Sequence, residues 1–128
     1  MIQARNLDYS TLPGNYSLSE VDTGYTWVDG KTIYKKTINW GAMPNNSRVD
    51  RTGLFPNNAN IVWIESIAVQ RPAGGNASGV HNMPYTSSDN KIDTVFISDK
   101  SIGRVSMYTN ADRSDWDAYV TLYYTKSS

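Results

Sequence analysis

The dipeptide Asp29-Gly30 stands between two runs of alternating residues, "GYTWV" and "KTIYKKTINW", and it constrains the fold more than any other feature of the chain. Asp-Gly suits a type I′ turn, which joins two antiparallel strands across a two-residue loop and needs positive φ at both central positions. Pairing then steps outward one residue at a time, setting Val28 opposite Lys31, Trp27 opposite Thr32 and Tyr25 opposite Tyr34. Because side chains alternate faces along a strand, Tyr25, Trp27, Tyr34, Ile38 and Trp40 are expected to share one face. Thr26, Ile33, Lys35, Thr37 and Asn39 fall on the other.

The rest of the chain repeats this strand-and-turn grammar. Residues 1–20 stack Pro, Gly, Asn and Ser in "LPGNYSLSE" and read as a lead-in arm or the end of an upstream shaft. Residues 41–60 carry two Pro-Asn-Asn turns and read as a long loop or a short edge strand. "IVWIESIAVQ" is an almost unbroken β-branched run, expected as a strand buried on both faces or carrying an intersubunit face. A second long loop, 71–90, precedes two short strands, "KIDTVFIS" and "GRVSMYTN". The last run, "WDAYVTLYYTK", alternates Trp116, Ala118, Val120, Leu122 and Tyr124 against Asp117, Tyr119, Thr121 and Tyr123. Six or seven strands without a convincing helix predict an all-β fold: an antiparallel β-sandwich or related barrel, one domain over residues 21–128.

Composition excludes several kinds of function. Twelve basic and twelve acidic residues cancel, so no long-range field draws in nucleic acid. The absence of cysteine removes disulfides, thiolate nucleophiles and thiolate metal sites together. "MIQARNLDYS" lacks an apolar run of signal-peptide length and no window approaches a membrane span, so neither a cleaved signal nor membrane insertion is expected.

Catalysis finds little material. His81, the one histidine, lies in the 71–90 loop with no triad motif around it. A glycosidase pair would draw on Glu20, Glu65 and the aspartates, and the sequence sets no second acid against Glu65, which is expected to meet arginine or backbone donors across an interface. Asn110, Asp112, Asp115 and Asp117 could together offer oxygens to calcium, but their spacing fits no calcium loop and reads better as an Asx-type turn. No enzyme activity, cofactor or metal is expected. Three Asn-X-Ser sequons, at Asn15, Asn45 and Asn76, carry little weight in a chain so rich in both residues. Trp27, Tyr34, Trp40 and Trp63 are expected in a core or interface, whereas Tyr85 and Trp116, in or beside loops, are placed to stack on a ligand.

"YSLSEVDTGYTWVDGKTIYKKTINWGAMPNN" and the ending "AYVTLYYTK" together resemble a pattern found near the C-termini of phage tail fibre, baseplate and minor structural proteins. The shared features are Trp-hydrophobic-Asp-Gly-Lys, a hydrophobic-Tyr pair, a Lys-Thr step, a Gly-x-hydrophobic-Pro-Asn turn and a closing Val-Thr-Leu strand. Residues 47–110 show only the family's rhythm of loops and strands. The resemblance implies a virion structural or receptor-binding module, often a homotrimer at a fibre tip, and supplies no catalytic residues. On that footing the hairpin is scaffold, and a host surface polysaccharide or other glycan is expected at Trp116, Tyr85, His81, Asn82, Asp112 and Arg113. The trimer contacts are expected at Ile61, Trp63, Glu65 and Ile67. The rival expectations are a carbohydrate-binding module appended to a phage depolymerase or lysin, and a trimerisation domain that binds no receptor.

Overall fold

In the computed structural model, which describes residues 16–72 and 79–127, nine strands form two antiparallel sheets. The first fifteen residues of the expected arm, the sequons at Asn15 and Asn76 and the middle of the 71–90 loop lie outside the described residues. In the larger sheet the order is β1 (Val21–Thr26), β2 (Thr32–Ala42), β9 (Trp116–Lys126), β4 (Ala59–Gln70) and β5 (Val80–Asn82). The smaller sheet runs β3 (Arg48–Arg51), β8 (Arg104–Thr109), β7 (Ile92–Asp99), β6 (Tyr85–Thr86). The antiparallel sandwich expected from the alternation is therefore the fold, and among the described residues neither sheet closes into a barrel.

β9 sits at the centre of the larger sheet, and its alternation decides where the core lies. Trp116, Ala118, Val120, Leu122 and Tyr124 are all buried, and they meet Ile38 and Trp40 from β2, Ala68 from β4, and Val105 and Met107 from β8 in one cluster. Each such side chain contributes about 1.5–3 kcal/mol when fully removed from water. Just ahead of β1, Glu20 accepts hydrogen bonds from the Tyr124 phenol at 2.6 Å and the Lys126 ammonium at 2.5 Å, tying the approach segment to the end of β9. Burial pushes the Glu20 carboxyl up, but these two bonds outweigh it and hold the group below its ordinary value.

The hairpin differs from expectation in its turn. Gly30 N–H donates to Trp27 O and Trp27 N–H to Lys31 O, so the loop holds three residues, Val28 to Gly30. Gly30 alone takes positive φ, at +84°. The Asp29 carboxylate accepts from Lys31 N–H at 3.0 Å, and the aspartate thereby avoids a left-handed conformation that costs roughly 1–2 kcal/mol. A one-residue slip in pairing turns side chains to the opposite face. Trp27 now stands opposite Lys31, and a bulge around Gly24 shifts β1 further, so that Asp22 pairs with Tyr34. Tyr25 and Trp27 are consequently exposed, while Tyr34, Ile38 and Trp40 keep the core-facing side.

Two other expectations are refined. β4 is buried on one face only, because Trp63 and Ile67 point away from the sandwich and are 64% and 37% exposed. Residues 71–90 are not a single loop: β5 pairs with β4, β6 pairs with β7, and a cis Met83–Pro84 bond lies between them. Residues 41–60 do contain the edge strand, β3, at the margin of the smaller sheet.

Candidate functional site

Strand register builds a site on the outer face of the larger sheet. Three rows cross β2, β9 and β4: Lys35–Tyr123–Trp63, then Thr37–Thr121–Glu65, then Asn39–Tyr119–Ile67, the last extended by Asn82 on β5. Period-2 alternation puts all of these side chains on the side opposite the core. Residues Tyr16 to Leu18 run beside β2, held by Thr37 N–H donating to Ser17 O at 2.8 Å. Between this segment and the second and third rows lies a cleft of about 530 Å³, within the size range of small-ligand sites.

Its floor is Tyr119 and Ile67, and its polar groups are Thr37, Thr121, Glu65 and Asn82. The two threonine hydroxyls bond one another at 2.9 Å. Glu65 Oε1 accepts from the phenols of Tyr16 at 2.8 Å and Tyr123 at 2.7 Å. Burial, with Tyr16 and Glu65 beside it, drives the Tyr123 phenol far above its ordinary value, so it remains a donor. Glu65 thus meets tyrosines rather than the arginine or backbone donors expected from its sequence context. Lys35, just outside the cleft, is buried with its ammonium 4.1 Å from the Tyr16 ring centre. Its burial lowers the ammonium from its ordinary value, against the pull of the Glu65 charge.

Four of the six residues expected to hold a glycan do come together, elsewhere and inside. At one end of the sandwich the Asp93 carboxylate is fully buried, accepting both oxygens' share of the Arg113 guanidinium at 3.1 Å and the Thr109 hydroxyl at 2.6 Å. His81 Nε2 lies 2.7 Å from Asp93 Oδ2, within ion-pair distance but off the line of a hydrogen bond. The imidazole stacks on Tyr85 with centroids 3.9 Å apart and tilts against Trp116 at 4.6 Å, while Arg113 lies over the indole at 5.2 Å. Burial pushes His81 below its ordinary value; Asp93 pulls it up and Arg113 adds to the lowering. Trp116, the first residue of β9 and next to the 110–115 connection, is 8% exposed and buried in the core rather than open to a ligand. The cluster is a polar plug in which Thr109 and Arg113 satisfy Asp93 by hydrogen bonds and His81 meets it at ion-pair distance.

The remaining two diverge. Asn82 lines the outer cleft, whereas Asp112 caps its own turn by accepting from Ser114 N–H and Oγ–H. The oxygens considered for calcium also scatter: Asn110 accepts from Ile92 N–H, Asp115 from Gln70, and Asp117 from Arg71. Among the described residues no group of three histidines or acids is placed to hold a metal ion, and no helix is long and apolar enough to cross a membrane. Of the expected trimer contacts, Ile61 packs toward the core, Glu65 and Ile67 line the cleft, and Trp63 stands exposed beside it. Tyr119, Thr121, Thr37 and Tyr16 are among the cleft residues not singled out from sequence; the signal was Tyr119 and Thr121 on the solvent side of β9's alternation. No protein-family model matches the chain, and no curated protein or solved structure shows significant similarity to it.

Proposed function

We propose that this chain is a phage tail-fibre or receptor-binding end domain, a virion component that assembles as a homotrimer and holds a host surface glycan in the outer-face cleft. The observation that carries the reading is the cleft's composition: an aromatic and aliphatic floor, Tyr119 and Ile67, ringed by hydroxyl, carboxamide and carboxylate groups. A pyranose has the matching chemistry, with a C–H face to lie on the Tyr119 ring and hydroxyls to meet Thr37, Thr121, Asn82 and Glu65. The sequence resemblance supplies the viral context. Three weak sites on one fibre tip raise avidity, on the order of a hundredfold or more, without new contacts.

The cleft is assigned to binding rather than hydrolysis, because among the described residues Glu65 is the one acid lining it and glycoside cleavage uses a pair. The same cleft would serve the second reading, a carbohydrate-binding module appended to a depolymerase or lysin. Both readings place the sugar on the same residues and differ in assembly.

Attachment of the purified chain and of Tyr119→Ala to host cells and their extracted polysaccharide tests the site. Tyr119 is 44% exposed, so the variant is expected to lose attachment while its unfolding midpoint stays put. Undiminished attachment would remove the cleft from the reading.

A further inference from the structure

The charge pattern of the cleft says which sugars it takes. Both phenols that reach Glu65 donate to Oε1, and among the described residues no group donates to Oε2. Among the described residues no lysine, arginine or histidine lines the cleft. The nearest cation, Lys35, is buried with its ammonium over the Tyr16 ring, so it offers nothing to a ligand. Asn82, across the floor from the tyrosines, makes no side-chain hydrogen bond among the described residues and faces the same space. The threonine hydroxyls are already paired with each other.

A ligand entering this cleft therefore meets one unsatisfied charged acceptor and no charged donor. An acidic sugar would bring a second carboxylate beside Glu65, with Lys35 the nearby cation but buried over the Tyr16 ring outside the cleft, and like charges in a partly dry site repel. A hydroxyl gives Oε2 a charge-assisted bond; an ammonium gives it such a bond together with the Coulomb attraction between two full charges.

We infer that Glu65 makes the cleft selective by charge: it accepts amine-bearing sugars best, neutral sugars less well, and excludes uronic and other acidic sugars. The inference rests on the reading of the cleft as a sugar site and names the class of sugar. Tyr16 and Tyr123 contribute by fixing the carboxylate from one side, leaving its second oxygen to face the ligand. They are positioning residues for Glu65.

The experiment is a calorimetric titration of the full chain with four oligosaccharides of the same length and β-1,4 linkage, built from glucosamine, N-acetylglucosamine, glucose and glucuronic acid. It is run at a pH where the amine is protonated. The glucosamine oligomer is expected to bind about tenfold more tightly than the two neutral ones, with no binding by the uronate. Glu65→Gln keeps an oxygen for the two phenols and is expected to bring the amine and neutral affinities together. Should that variant fold poorly, Asn82→Asp tests the same idea in the opposite direction, by widening the preference for the amine. Equal affinities for all four, or strongest binding by the uronate, would overturn charge selection while leaving the glycan reading standing. Binding by none of the four would overturn both.

Discussion

At the scale of single residues, the end cluster shows how side chains suited to a ligand can be consumed by the fold. Trp116 touches His81, lies under Arg113, and presses its ring edge toward Gly79, where an added Cβ would stand 2.7 Å from Cη2. Trp116→Ala is expected to cost about 3–5 kcal/mol, read as a fall in the urea midpoint at constant slope; a shift of only a few tenths would mean the ring is dispensable to packing. His81 makes a pH prediction. Its imidazole sits below the ordinary 6.5 because burial penalises the charged form, so the unfolded chain binds more protons in the window between the folded value and 6.5. Stability then rises with pH across that window: it is fully present above about 6.5, declines as pH falls, and levels off below the folded value. His81→Gln should flatten this part of the urea-midpoint profile and leave the acid-side decline of the carboxylates intact. A profile unchanged by the substitution would show that His81 titrates alike in both states.

At the scale of elements, alternation was legible and register was not. The faces of β9 could be read residue by residue, since five apolar residues at period 2 leave one solution, and from the solvent-facing set Asp117, Tyr119, Thr121 and Tyr123 two, Tyr119 and Thr121, line the cleft. Which strands flank β9 is a long-range fact: β2 and β4 come from distant parts of the chain, and no local pattern announces that Glu65 and Thr37 will meet across Thr121. The hairpin failed for a local reason, since an Asp-Gly pair serves both a two-residue loop and a three-residue loop with a left-handed glycine, and the choice moved Trp27 from core to solvent. Turn glycines separate two costs. Gly30 has open space where a Cβ would go, whereas at Gly103 a Cβ would come within 2.6 Å of Phe55 O, and both hold positive φ. Gly30→Ala is expected to cost about 1 kcal/mol, from backbone conformation alone. Gly103→Ala adds a clash against backbone and should cost about 1–3 kcal/mol more. Thermal unfolding of the pair checks the order, and equal losses would mean that the β3–β4 connection gives way at no cost.

For the whole molecule, the question is what becomes of the outer face. The chain has zero formal net charge, so no self-repulsion keeps copies apart, and Trp63, Ile67 and Tyr119 leave apolar surface together on one side of the larger sheet. Ile67 and Tyr119 are accounted for by the cleft, but Trp63 lies a row away from it, next to Tyr123. An indole on a sheet face is left 64% exposed by the described residues, and large exposed aromatics mark interfaces more than solvent surface. The proposed trimer places Trp63 at its contact, one row from the cleft on the same sheet face. Light scattering after size exclusion, at two protein concentrations, is then expected to give three times the 14.3 kDa of the chain, and Trp63→Lys should return it to a single chain without lowering sugar affinity per site. Avidity for a polysaccharide surface should fall in that variant by on the order of a hundredfold, because each remaining site binds alone. A monomer at both concentrations would favour the appended module instead, since a single copy would then have to carry the whole sugar site.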